Sequence, residues 1–183
     1  MLNRLLALII LFIFFPIFLF VALAIFIEDG LPVFFTQKRV GINYTFFNIY
    51  KFRSMKKSTP NVATHLLTNP DQYLLKFGKF IRKTSLDELP NLINIIKGEM
   101  VFVGPRPALF NQDDLMKLRV ATGVDKLKPG ITGWAQINGR DDISISQKVE
   151  LEQEYLKKKS FLFDIEIILK TFTNVVSRKG VTH

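Results

Sequence analysis

The chain has 183 residues, no cysteine, two histidines and a formal net charge of +9, a length that suits one modest domain with a hydrophobic core. Without cysteine there is neither a disulfide framework nor a thiolate-bound zinc, and His65 and His183 are too few and too scattered for a histidine metal site or a Ser/His triad. Chemistry is left to carboxylates, arginine and lysine.

From Leu5 to Ile27 no side chain is polar. That run exceeds the ~20 residues of a spanning helix. It is also too long for a secretory signal, although Arg4 precedes it and Ala22-Leu23-Ala24 looks like a cleavage motif. The run predicts membrane residence. Pro16, near its middle, removes a backbone hydrogen bond and kinks or breaks a helix there. Each limb would rise only ~16 Å, about half of a ~30 Å hydrocarbon core. Two arrangements follow: a kinked span, which membrane helices tolerate, or a re-entrant pair that turns at Pro16. Physics alone favours the span. Lys38 and Arg39 sit inside under either, and Arg4 leans towards re-entry.

After the run, Gly30 and Pro32 signal a turn, and "VFFTQKRVG" reads as a short strand. "FFNIYKF" alternates apolar and polar residues as a half-buried strand does. Lys38, Arg39, Lys51, Arg53, Lys56 and Lys57 cluster here. Such a cluster is a solvated face, a juxtamembrane patch drawn to anionic headgroups, or a pocket for a polyanion. Residues 57–70 read as a loop. From Asp71 a helix is expected, with Tyr73, Leu74, Phe77, Phe80 and Ile81 as its apolar stripe.

"TSLDELPNLINIIKGEM" then places two adjacent acids, Asp87 and Glu88, at the head of a helical run. Ser85-x-x-Glu88 fits a capping box, in which Glu88 merely satisfies an amide and Asp87 complements the dipole. Pro90 argues against Ser85 as cap and fits Asp87 better. Either way both carboxylates project from a helix N-terminus, which also attracts phosphate. Mg²⁺ would relieve the repulsion between acid and phosphate, since it takes one or two carboxylates plus substrate oxygens. On this reading one carboxylate attacks phosphorus and the other holds the metal, with Arg82 and Lys83 as counter-charge.

Val101 to Val103 reads as a buried strand, and Gly104-Pro105-Arg106-Pro107 as a rigid turn presenting one arginine. "KPGITGWAQINGRD" reads as a Gly-rich turn series ending in Arg140, with Trp134 expected in the core. Residues 146–180 read as one or two amphipathic helices. Leu162, Phe163, Ile165, Ile167, Ile168 and Leu169 form a surface apolar enough for a membrane interface. Asp164 stands out among them as a structural acid or part of a site.

The segments "VFFTQKRVG", "YKFRSM", "SLDELPNLINIIKGEM", "VGPRP", "KPGITGWAQINGRD" and "SFLFDIEII" together resemble the bacterial sugar transferase family, and within it the small monotopic phosphoglycosyl transferases. The resemblance implies an α/β fold, rich in helix with short strands, in a monotopic membrane protein. It implies a re-entrant helix hairpin over residues 1–29, a cytoplasmic catalytic domain over residues 30–183, and interfacial amphipathic helices. It implies transfer of a sugar-1-phosphate from a UDP-sugar to a polyprenol (undecaprenyl) phosphate at the bacterial cytoplasmic membrane, with Mg²⁺ as cofactor and UMP as co-product. Carried over by motif, Asp87 matches the nucleophile and Glu88 the acid linked to Mg²⁺. Lys51, Arg53, Arg82, Arg106, Arg140 and Asp164 match the groups framing the substrate. Membrane lipid is an expected partner, nucleic acid is not, and a homo-oligomer is compatible with the reading. Two departures stand out: Phe15 where family members often carry Ser before the membrane proline, and Ala7 where many carry an acid. A Mg²⁺-dependent phosphohydrolase on a membrane anchor, or a basic binding module on the same anchor, are the rival classes. The binding module leaves the paired acids unexplained.

Overall fold

A computed structural model describes residues 1–60, 69–139 and 143–177. Two apolar helices open it, α1 Leu2–Ile13 and α2 Phe15–Asp29. They are bent by 64° at Phe14. Pro16 lies in the first turn of α2. A proline there needs no amide partner, so it starts a second helix rather than interrupting a single one. Among the described residues no single helix is long and apolar enough to cross a membrane.

Both helices lean on the rest of the chain along one side. Ala7 of α1 is 0% exposed and packs with Ile49, Leu92, Ile95 and Met100. Any acid at that position would be buried against this cluster, so the small apolar residue suits its surroundings. Val21 and Ile25 of α2 join Phe52, Leu75 and Ile81 in a second cluster. The outward faces stay bare, with Phe12, Ile13, Phe15, Leu19 and Phe20 exposed.

The strands expected after the apolar run are present. β1 Phe34–Val40 pairs antiparallel with β2 Phe46–Phe52, Phe34 opposite Phe52 and Val40 opposite Phe46. After β3 Val101–Val103, the short β4 Ala108–Leu109 adds to the other edge of β1. β5 Gly130–Thr132 pairs in parallel with β3. The helices are α3 Lys76–Lys83, α4 Asn91–Lys97, α5 Asp113–Thr122, α6 Trp134–Asn138, α7 Ile145–Lys158 and α8 Phe161–Ser177. The chain is thus α/β, with many helices around short strands.

Three expectations change. The helix from Asp71 splits: Pro70–Tyr73 is a 3₁₀ turn, and α3 begins only at Lys76. Leu74 and Leu75 between them are extended, and the amide of Leu75 donates to Ser54 O at 3.0 Å. Residues 130–138 are not a turn series but a strand and a short helix. Their glycines serve close approach, since a Cβ at Gly130 or Gly133 would collide with the backbone of Gly104. The capping box at Ser85 does not form: Ser85 is left-handed with φ 56° and its side chain makes no cap bond. The loop expected over residues 57–70 falls largely on residues 61–68, outside the described residues.

The C-terminal part is two helices. α7 starts with a capping box of Ser144 and Gln147. α8 turns Ile167 into a cluster with Val103, Leu127 and Tyr155. Its other face leaves Phe161, Leu162, Ile165, Ile168, Leu169 and Phe172 exposed.

Candidate active site

Asp87 and Glu88 lie in a 3₁₀ turn, Leu86–Glu88, just ahead of α4. Pro90 occupies the N-cap position of α4, so neither acid caps it. The turn is entered through Ser85 in the left-handed region, a conformation that costs a non-glycine residue of order 1 kcal/mol or more and that surroundings must impose. Leu86 and Leu89 pack against the clusters under α1 and α2. That apolar seat turns the two carboxylates towards the polar side.

Four cations from four elements face them. Lys51 of β2 meets Glu88 at 2.6 Å, Nζ to Oε1. Arg106, in the turn after β3, has Nη1 3.9 Å from the same oxygen. Arg82 of α3 acts electrostatically on Asp87 and donates from Nε to Ser54 Oγ at 3.0 Å. Arg39 of β1 faces both Glu88 and Arg106. Its Nη1 donates to Pro107 O at 3.0 Å and its Nη2 to Gln37 Oε1 at 2.6 Å. Asn94 locks β2 onto α4, accepting from Tyr50 N at 3.1 Å and donating to Asn48 O at 2.7 Å. That lock brings Lys51 to Glu88.

The two acids are unequal. Glu88 is pinned by Lys51. Among the described residues no cation closes to ion-pair distance on Asp87. Burial first, then the Glu88 charge, pushes the Asp87 carboxyl up to about 6, against the pull of Lys51 and Arg82. Burial also lowers Arg39, to about 10, with Arg106 repelling it and Glu88 opposing the shift. Cations packed this closely repel one another, and an incoming polyanion relieves that repulsion.

Other expected site residues lie elsewhere. The Arg53 guanidinium is taken up by the Asp29 carboxylate and by the carbonyls of Asp29, Gly30 and Pro32. It faces the end of α2. Asp164 accepts from the Tyr155 hydroxyl at 2.7 Å, on the inner side of α8. Trp134, expected in the core rather than the site, packs on Phe163 with ring centroids 5.0 Å apart, and its indole donates to Glu154. Arg140 lies outside the described residues. Arg39 was legible only as one charge of a basic cluster, and Asn94 gave no signal beyond its place in a motif.

The fold and site define an α/β protein with a strongly apolar bent helix pair and a carboxylate pair ringed by arginine and lysine. The family described as bacterial sugar transferase matches residues 1–178, and the chain belongs to it. It is 42% identical over 166 residues to an uncharacterized sugar transferase, EpsL, of Bacillus subtilis, covering 90% of this chain and 80% of that one. It is 35% identical over 187 residues to the exopolysaccharide production protein ExoY of Rhizobium meliloti, covering 93% of this chain and 81% of that one. It is 38% identical to the UDP-glucose:undecaprenyl-phosphate glucose-1-phosphate transferase of Escherichia coli, covering 85% of this chain but 35% of that longer protein.

Proposed function

We propose that this chain transfers a sugar-1-phosphate from a UDP-sugar to a polyprenol phosphate at the cytoplasmic face of a bacterial membrane, by a ping-pong mechanism. The observation that carries the reading is the unequal pair: Asp87 unclamped beside a pinned Glu88, inside a ring of four cations. Relatives named as UDP-glucose:undecaprenyl-phosphate glucose-1-phosphate transferases support the substrate class.

Asp87 attacks the β-phosphorus of the UDP-sugar. The bond from that phosphorus to the bridging oxygen breaks, and UMP leaves with the electron pair. Arg82, Arg106, Arg39 and Lys51 stabilise charge growing on the phosphoryl oxygens. An oxygen of the polyprenol phosphate then attacks the same phosphorus, which frees Asp87 and yields the polyprenyl-diphosphate sugar. A covalent intermediate suits one soluble and one lipid-bound substrate, because one site receives them in turn.

The acid pair fits Mg²⁺: two hard carboxylates, the charge of Glu88 raising the proton affinity of Asp87, match an ion that takes one or two of them and fills its shell with water and phosphate. Asp87 and Glu88 would hold it, and it would supply charge neutralisation at the diphosphate.

The bent pair is read as re-entrant. Both of its ends are tied to the same body. Asn3 Oδ1 accepts from Phe102 N at 3.3 Å, and Arg4 Nη2 donates to Lys97 O at 3.3 Å. At the other end Glu28 accepts from Lys76 N at 2.6 Å, and Asp29 holds Arg53. The bend between them is bare and apolar. The exposed face of α8 rests on the same membrane surface.

UMP release over a panel of UDP-sugars, with and without polyprenol phosphate, tests the reading. A single equivalent of UMP without the lipid and turnover with it is the expected result. Turnover without lipid would make the protein a hydrolase, and no release with any sugar would end the proposal.

A further inference from the structure

α3 carries Arg82 but has no cap of its own. Its N-cap residue is Leu75, whose side chain has no acceptor. Its first amides are met from outside instead. Glu28, in the last turn of α2, accepts from Lys76 N at 2.6 Å with one carboxylate oxygen and from Phe77 N at 3.1 Å with the other. An ionised acid at that place satisfies orphan donors and complements the helix dipole.

The next residue of α2 holds the second support. The Asp29 carboxylate pairs with Arg53 and accepts from Lys57 N at 3.1 Å. Arg53 adjoins Ser54, whose Oγ accepts from Arg82 Nε and whose carbonyl accepts from Leu75 N. α3 lies directly on that carbonyl, because a Cβ at Gly78 would collide with it. The last turn of α2 therefore grips both the start of the helix that bears Arg82 and, through Arg53, the residue on which Arg82 rests.

We propose that Glu28 is a positioning residue: acting through the first turn of α3, it sets Arg82 beside Asp87. A helix this short is sensitive at its start. A one-residue slip in register turns it by ~100°, which would swing Arg82 away from Asp87. Ile81, 0% exposed, and Leu75, 2% exposed, anchor α3 sideways. The bond from Leu75 N to Ser54 O and the close approach at Gly78 hold the side of α3, and the directional bonds to Glu28 hold its first turn in register. The inference rests on the reading above, in which Asp87 and Arg82 serve phosphoryl transfer.

Glu28 is exposed and its loss removes one helix cap without opening a cavity, so the variants should fold. In UMP release by the full chain with polyprenol phosphate, Glu28→Ala should lower kcat roughly tenfold and leave the KM for UDP-sugar within about twofold. Glu28→Gln keeps one acceptor and should recover most of the rate. In an Arg82→Ala background, Glu28→Ala should cost less than about twofold, because the two act on one path. Equal losses in both backgrounds would overturn the inference. Lys79→Ala, on the exposed side of α3, is the control for a general effect on the helix. Hydrogen exchange gives a readout that needs no substrate: Glu28→Ala should speed exchange across residues 76–88 and spare 91–97. Faster exchange confined to residues 76–79 would mean a local cap and nothing more, and would also overturn it. If the parent chain releases no UMP from any sugar, the reaction assigned to the site fails, while the exchange pattern still decides whether Glu28 orders the path to Asp87.

Discussion

Asp87 and Glu88 adjoin in the chain and meet different surroundings. Glu88 is pinned by Lys51 at 2.6 Å. Asp87 is charged in a place that favours its neutral form, because burial and the Glu88 charge raise its carboxyl from 3.8 to about 6. The folded chain thus holds a proton at Asp87 more tightly than the unfolded chain does. Stability from this group is full below ~pH 4 and is lost as pH rises through ~6. Asp87→Asn removes the charge that costs stability. With divalent ions chelated, it should raise folding stability at about pH 7.5 by up to about 3 kcal/mol. The gain should fade towards ~pH 4, and calorimetry at the two pH values measures it. The same variant should abolish turnover and any sugar-phosphate adduct seen by intact-protein mass spectrometry after exposure to UDP-sugar without lipid. An adduct surviving in Asp87→Asn would place the nucleophile on another residue. Glu88→Gln should still form adduct, but slowly, with activity partly restored at high Mg²⁺; full activity at low Mg²⁺ would remove Glu88 from the metal site.

At the scale of elements, the turn after β3 shows two kinds of arginine. Arg119 of α5 is buried and meets Glu152 of α7 at 2.8 and 2.5 Å. It also donates to Arg106 O at 2.9 Å, while Arg39 holds the next carbonyl, Pro107 O. Arg106 itself is 44% exposed at its side chain. Arg106→Ala should cut turnover by roughly 10²-fold and leave the melting midpoint unchanged. Arg119→Ala strands Glu152 without its partner and should cost about 3–5 kcal/mol, so its midpoint should drop sharply. Equal melting losses would make Arg106 a structural member of the same network. These elements were unevenly legible. β1, β2 and α4 follow from alternation and from the run after Pro90, since each buries one face. The break between Tyr73 and Lys76 did not show, because its cause is a bond from Leu75 to Ser54, distant in sequence. α5 is not among the expected elements, although Asp113 and Asp114 in its first turn and Gly123 after its end are ordinary signals. The acid pair was legible from its motif, but its pinning by Lys51 was not, because β2 is placed by Asn94 across the fold.

At the scale of the whole molecule, the proposed re-entrant reading of the bent pair rests on where its two ends are held. A span would put residue 3 and residue 28 on opposite sides of the hydrocarbon, ~30 Å apart. Yet Asn3 and Arg4 bond Phe102 and Lys97, while Glu28 and Asp29 bond Lys76 and Arg53, all in one folded unit. Moving either end across the bilayer would strip Ala7, or else Val21 and Ile25, from their buried clusters. It would also leave Arg4 or Glu28 without a protein partner. Re-entry keeps all of these contacts and sinks only the bare apolar bend around Phe12 to Phe15 into one leaflet. Under the proposed function, re-entry would also bring Asp87 to the membrane surface, where a lipid phosphate is met. The chain has no native cysteine, so single cysteines report cleanly. Cysteine placed at Asn3 and, separately, at Lys57 should both react with a membrane-impermeant maleimide only after the cytoplasmic face is opened. Labelling of the Asn3 site in intact cells, with Lys57 still protected, would establish a span and break the arrangement that brings both ends of the pair to the catalytic body.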